Sequence, residues 1–417
     1  MLKEVSKIQS QIEKDYAQLH YCAEVGFNLT QTRAYVKKRL TEMGYKPMDC
    51  GKAGIVATAG NAETGKVFLL RADMDALHIK EETDLPYKSN NGNMHACGHD
   101  AHTAMLLGAA KIIKYHEQEL GGVVKFMFQP AEEILEGARD MIEHGVLEVS
   151  PETTDISKNQ QTGECCSGHC NKSKVDGAMM VHVMTGVPIK AGTVIVSAPG
   201  VSAPAADFFQ IQIKGKGSHG SMPHLGIDAL SAAAHVLIAL QEIGARELSM
   251  FDEAALTIGA LEGANVANAI PDTITLKGSM RAFDEDVRNH MKKRLVEISE
   301  NVAKAFRAEA VVTYTSGAPT LVNDKELSEK TAIWLKETLG EDMVIRSQDM
   351  SDKSGGGSED FAYVSHEVPS IMVALAAGDV REGYEHSLHH PKMRLDSKAF
   401  AYGTAALAEV AMRYVRV

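Results

Sequence analysis

The sequence predicts an α/β fold that carries an inserted α+β unit, and three observations predict it. First, strand-like apolar stretches alternate with helical ones through the first half. Val67-Phe68-Leu69-Leu70 is followed by Met105, Leu106, Ala109, Ile112 and Ile113 at helical spacing, then by Val123-Val124-Lys125-Phe126-Met127-Phe128. Second, from about residue 207 the rhythm becomes strict alternation, with Phe209, Ile211 and Ile213 separated by Gln210 and Gln212, as a strand with one wet face requires. Third, α/β character returns at Ile371 to Leu375 and closes in a helix with Phe400, Leu407, Val410 and Tyr414 on its apolar face.

Taken in order, the chain begins with an amphipathic helix whose apolar face holds Val5, Ile8 and Ile12. A helix over about Ala131 to His144 follows the strand at 123–128, and Ala178 to Val181 reads as a further buried strand. Beyond residue 207 come a helix from about Ile227 to Ala245, strands at Ala255 to Leu261 and Thr273 to Phe283, a helix from about Glu285 to Ala308, and a strand at Val311 to Thr315. That order, β-α-β-β-α-β, describes a split βαβ unit with helices on one side of a sheet. The expected division is therefore one α/β domain formed by 1–200 and 317–417, with 201–316 inserted into it. The stretch Ser150 to Lys174, with Cys165, Cys166, His169 and Cys170, follows neither period and reads as a long surface loop or a small metal knuckle.

A chain of 417 residues is long enough for two cores, and 44% apolar with 24% charged residues is ordinary for a soluble protein. No apolar run approaches the roughly 20 residues of a membrane span, and the N-terminus lacks the apolar stretch of a signal peptide. A net charge of -12 without a basic stripe argues against nucleic acid. Six unevenly spaced cysteines suit a reducing compartment, so a cytoplasmic setting is expected.

The densest chemistry lies in His95-Ala96-Cys97-Gly98-His99-Asp100-Ala101-His102. Imidazole and thiolate are ligands for zinc and its first-row neighbours, and Gly98 lets Cys97 and His99 converge. In Gln129-Pro130-Ala131-Glu132-Glu133, two adjacent carboxylates stand where a strand ends. One can meet a cation while the other accepts a proton, although helix-dipole preference alone also accounts for acids there. Asp73, Asp75, His182 and the pair His389-His390 offer further donors near strand ends. Within the insertion, Gly217-Ser218-His219-Gly220 is a turn bearing a histidine, Asn268 precedes Ile270-Pro271-Asp272, and Arg281 lies on a polar strand face from which it can pair with a carboxylate.

The ordered series of RADMDAL at 71–77, HACGHDAH, QPAEE, GKGSHGSMPH, NAIPD, GGSEDFAY and LHHP resembles the M20 metallopeptidase family, and its amidohydrolase branch most closely. The resemblance runs from about residue 10 to the C-terminus. It implies that the insertion is a lid and dimerisation domain, and that Cys97, His99, Glu133, His182 and His389 bind two divalent cations (zinc, manganese, cobalt or nickel), with Cys97 between them. It further implies Glu132 as general base, His219 as a polarising group for the scissile carbonyl, Asn268 and Arg281 as holders of a substrate carboxylate, and Asp75 as support for the metal ligands. The implied activity is metal-dependent hydrolysis of N-acyl amino acids or related small carboxylates by a homodimer. A dipeptidase or carboxypeptidase, and a silent metal or amino-acid binder, are the alternatives.

Overall fold

The computed structural model describes residues 1–60, 65–149, 173–350 and 357–416. Cys165, Cys166, His169 and Cys170, singled out above, lie outside the described residues. The chain forms two compact units, one of Met1–Gly200, Val322–Lys353 and Tyr363–Val417, the other of Val201–Leu321 with Ser354–Ala362.

The first unit opens with helices α1 (Gln9–Cys22) and α2 (Thr30–Glu42), then strands β1 (Met48–Cys50), β2 (Gly54–Gly60) and β3 (Val67–Asp73). Helix α3 (His99–Tyr115), β4 (Val123–Gln129), the short helix α4 (Gly137–Glu143), β5 (Gly177–Met184) and β6 (Val194–Val196) follow. The second unit contributes β7 (Ala205–Lys214), α5 (Ala229–Glu242), β8 (Ala254–Glu262), β9 (Thr273–Ala282), α6 (Glu285–Ala305) and β10 (Glu309–Ala318). The chain then returns to the first unit with α7 (Lys325–Leu339), β11 (Val344–Arg346), β12 (Ser370–Ala376) and α8 (Phe400–Tyr414).

Among the described residues the first unit has an eight-stranded sheet in the order β1-β2-β4-β3-β5-β12-β6-β11. Its middle strands β4, β3, β5 and β12 are parallel, while β2 on β4 and β6 on β12 are antiparallel. β3 and β4 are buried along their whole length, which explains their unbroken apolar runs: a parallel strand under helices has no wet face to alternate with. Helices α1, α3 and α8 supply much of the core around Phe68, Phe126, Ile371 and Phe400. The N-terminal apolar face is split between a short helix, a 3-10 turn and α1, with Val5 and Ile12 buried and Ile8 only partly so.

In the second unit the sheet order is β8-β9-β7-β10, antiparallel throughout. Phe209, Ile211 and Ile213 of β7 turn inward onto Ala233 and Val236 of α5 and Leu295 of α6, forming a core of their own. Asp228 and Asp284 accept backbone N–H groups at the starts of α5 and α6, so each helix begins at a side-chain cap.

Two local expectations need correction. The helix expected from Ala131 starts six residues later, because Ala131 and Leu135 take left-handed backbone angles (φ 56° and 55°) that no α-helix accommodates. The N–H groups of Glu132 and Glu133 go instead to the two carboxylate oxygens of Asp75, at 3.0 and 3.3 Å. The strands are also longer than their apolar runs suggest, so Asp73 ends β3 and His182 lies inside β5. Gly137 closes the 131–136 turn, since a Cβ there would stand 1.6 Å from the carbonyl oxygen of Pro130. Gly137→Ala is therefore expected to destabilise the protein by about 1–3 kcal/mol through forced backbone movement, read as a lowered denaturant midpoint with an unchanged slope.

Candidate metal centre

The HACGHDAH segment becomes a turn leading into α3. Gly98 sits just before the helix with φ 86°, and a Cβ on it would meet Val183 Cγ2 at 2.3 Å, so only glycine passes β5 closely enough at that angle. The turn puts Cys97 on one side and His99, the first helical residue, on the other. Both are buried. His182 comes from β5, Glu132 and Glu133 from the turn after β4, and His389 from the loop before α8. The His389 backbone N–H donates to the Ala96 carbonyl at 2.7 Å, which ties that loop to the cysteine turn.

These side chains meet. Ligand-type atoms of Cys97, His99 and His182 lie within 4.8 Å of one another, as do those of Cys97, Glu133 and His389, and those of His99, Glu132 and Glu133. Cys97 Sγ is 3.6 Å from His182 Nε2, and His389 Nε2 is 3.9 Å from Glu133. His390 is not in these groups; its ring stacks on His386 and its Nδ1 accepts the Lys392 N–H. His99 is completely buried, and neither of its ring nitrogens makes a hydrogen bond. Nδ1 faces Asp75 at 3.4 Å, while Nε2 faces Glu133 at 3.7 Å and Glu132 at 3.8 Å.

The electrostatics indicate which partner suits such a cluster. Burial pushes the Cys97 thiol up and, with the neighbouring imidazoles, pushes His182 down to about 3. His99 is driven the other way, because against burial the charge of Asp73 and the nearby thiol and carboxylates favour its cation. Thiol, imidazoles and carboxylates crowded out of water need positive charge among them, and sulfur, nitrogen and oxygen donors together match a divalent first-row cation. A histidine with two unsatisfied buried nitrogens fits that group: a cation on Nε2 would satisfy one and strengthen the approach of Nδ1–H to Asp75.

The remaining residues named from the sequence lie in the second unit. His219 is exposed on a two-residue ribbon whose partners are Ser218↔Ile270 and His219↔Ala269. Its Nδ1 accepts from the Ser221 hydroxyl (2.8 Å) and N–H (3.2 Å), so the ring proton is on Nε2, turned outward as a donor. The Asn268 carbonyl accepts the Gly220 N–H, holding Asn268 beside His219. Arg281, on β9, is half-buried over the Phe208 ring at 5.1 Å. Asp207, the nearby carboxylate, is taken by Arg288 (2.6 and 2.9 Å) and Lys292 (3.0 Å). Arg281 therefore has no carboxylate partner among the described residues.

Sequence reasoning gave no role to His20. It is buried between two carboxylates, with Nδ1 2.7 Å from Asp100 and Nε2 3.1 Å from Glu81. Glu81 also accepts the Thr83 hydroxyl and the Ser89 N–H. The clamp joins α1 to the first turn of α3, next to His99. A lone histidine in a helix carries no signal of partners 61 and 80 residues away.

Residues 69–413 match the model of the peptidase family M20/M25/M40. The chain is 33% identical over 411 residues to N-acetyl-L-cysteine deacetylase of Bacillus subtilis, covering 98% of this chain and 89% of that protein. Hippurate hydrolase of Campylobacter jejuni is 31% identical and covered end to end, 100% of each chain. Among solved structures, a dinuclear metal-binding peptidase of the M20 family from Bacillus subtilis superposes with a TM-score of 0.74 at 27% identity, covering 99% of this chain and 100% of that one.

The His20 clamp predicts a pH dependence. Burial works against the charge, but the hydrogen bonds to Asp100 and Glu81 raise His20 from 6.5 to about 9. A raised cation stabilises the fold fully below its unfolded value and loses that contribution as pH climbs through its folded one. The melting-temperature gap between wild type and His20→Asn should thus be widest below pH 6.5 and narrow as pH passes about 9.

Proposed function

The chain belongs to the peptidase family M20/M25/M40, and on that premise we propose that it hydrolyses the amide bond of N-acyl amino acids or similar small carboxylates with two divalent cations. The observation that carries this reading is the meeting of buried Cys97, His99 and Glu132 with half-buried Glu133 and His182 and with exposed His389, both ring nitrogens of His99 lacking a hydrogen bond. The named activities of its relatives, a deacetylase of N-acetyl-L-cysteine and a hippurate hydrolase, support the substrate class.

Cys97, His99, Glu133, His182 and His389 would hold the cations, with zinc, manganese, cobalt and nickel all compatible with the donor set. When bound, the cations supply Lewis acidity to the scissile carbonyl and make a nearby water more acidic. Glu132, adjacent to the ligand Glu133 and anchored through its backbone to Asp75, takes the proton of the attacking water on a carboxylate oxygen and delivers it to the leaving nitrogen. His219, with its outward Nε2–H, donates to the oxygen that gains charge as the carbonyl is attacked. Arg281 and Asn268 grip the substrate carboxylate, which suits a half-buried guanidinium without a carboxylate to pair with among the described residues. A homodimer joined through the second unit and a reducing, cytoplasmic setting complete the reading; Cys22, Cys50 and Cys97 are free thiols.

The direct test is hydrolysis of N-acetyl amino acids, N-benzoyl amino acids and dipeptides before and after chelation and return of metal. Cleavage of the acyl amino acids that vanishes with chelator and returns with a divalent cation is expected; a marked preference for dipeptides would replace this reading with a dipeptidase. Glu132→Gln should bind metal as wild type does yet lose about 10²–10⁴-fold in kcat. Arg281→Ala should raise KM by about 10- to 100-fold with a smaller change in kcat, the worth of a charge-assisted hydrogen bond to the substrate.

A further inference from the structure

His102 and Asp73 sit beside His99, and the three are close enough to share a cation. The hydrogen bonds of His102 exclude it from that role. Its Nδ1 lies 2.6 Å from Asp73 Oδ1, and its Nε2 lies 2.8 Å from the backbone nitrogen of Val183. A backbone N–H can only donate, so Nε2 supplies the lone pair and Nδ1 carries the ring proton to Asp73. No lone pair remains for a metal.

The same residue, Val183, sets the neighbouring ring from its other end. Its carbonyl accepts from His182 Nδ1 at 2.7 Å, so the proton of His182 is on Nδ1 and its Nε2 lone pair faces Cys97 Sγ. The two imidazoles lie in edge contact, with centroids 4.6 Å apart. Sheet topology explains why a side chain is needed here. The ladder between β3 and β5 runs from Phe68↔Gly177 only to Arg71↔Met180, and beyond it the Val183 N–H has no strand on that side among the described residues. Left unmade, a buried N–H of this kind costs about 1–3 kcal/mol. Asp73 is itself fixed, its carboxylate by Arg71 Nη1 at 2.7 Å and its carbonyl by the Thr103 hydroxyl at 2.6 Å.

We propose that His102 is a positioning residue for the metal seat: braced by Asp73, it holds the Val183 peptide, and through that peptide it fixes the place and ring orientation of His182. The inference rests on the amidohydrolase reading only in taking the cluster around His182 to be a metal seat. Nothing in it depends on which amide is cleaved.

The test uses the full chain, stripped with chelator and titrated with Zn²⁺ against a coloured competing chelator, so that affinity and stoichiometry are read without substrate. In His102→Ala, Zn²⁺ affinity should fall about 10- to 100-fold, the usual effect of removing a partner that orients a ligand, while saturation reaches the wild-type stoichiometry. Two amide variants separate the two bonds. His102→Gln places an acceptor near the position of Nε2 and should recover most of the affinity, whereas His102→Asn reaches Asp73 but not Val183 and should stay weak. Melting of the metal-free variants identifies any that are unfolded. If alanine fails to fold, the glutamine and asparagine variants still decide. Wild-type affinity in a folded His102→Ala or His102→Asn overturns the proposal, and so does loss of a whole equivalent of Zn²⁺ that glutamine does not restore, since that would make His102 a ligand. A protein that binds Zn²⁺ in this graded way but cleaves no amide sinks the proposed function and leaves this inference standing.

Discussion

At Arg71↔Met180 two central strands of the large sheet stop pairing, and the site depends on how the backbone beyond that point is satisfied. Parallel strands that separate under a layer of helices leave N–H and C=O groups facing protein and not water. In this chain side chains take them up. His102 accepts from one face of the opening, Asp75 receives two amides from the turn after β4, and the Asp73 carbonyl takes a threonine hydroxyl. Each of these groups adjoins a donor atom of the cluster. The opening of the sheet and the orientation of the clustered donor side chains are thus one problem with one solution, consistent with the rule that open α/β sheets form their sites where strands part at their carboxyl ends.

Charge is settled by the same residues. Arg71, wholly buried, is paired with Asp73 and bonded to Gln129, so the first layer beneath the cluster contains its own counter-ion. Burial opposes ionisation of Asp73, yet His99, His102 and Arg71 together hold its carboxyl well below the usual range. Further out, the His20 cation neutralises Asp100 and Glu81. Glu132 and Glu133 lie nearer the surface of this arrangement, where an external cation can reach them. A carboxylate whose charge is already spent on an arginine is a brace.

Much of this was legible in the sequence because it rests on local pattern. The uninterrupted apolar runs marked the parallel strands, strict alternation from Phe209 marked the second unit, and the order of its elements matched the fold, with Ala254–Glu262 and Thr273–Ala282 within a residue or two of the reading. The crowding of Cys97 and His99 pointed to the cluster, and the structure brings Glu132, Glu133, His182 and His389 to them. What stayed hidden was set by tertiary contact. The left-handed turn at Ala131 overrode a good helical pattern because Asp75, 56 residues upstream of Ala131, takes the amides of Glu132 and Glu133, while Gly137 lets the turn close. His102 stood in plain view within HACGHDAH, but its role is defined by a peptide 81 residues away. His20 lay in a helix whose only readable feature was its apolar face.

The pairing of β12 with β5 places Ser370 beside Ala178, so the central sheet is completed across the entire second unit. During synthesis, β3, β4 and β5 emerge early while β12 and His389 are still untranslated. The second unit, with its own core and capped helices, is complete in sequence before β12 is made. For that interval the nascent sheet has an open apolar edge, the kind of edge that invites aggregation and chaperone capture. A cation acquired then would meet an incomplete set of donors. The donor cluster is complete only once residues 370–417 have been made, because both β12 and His389 lie in that stretch.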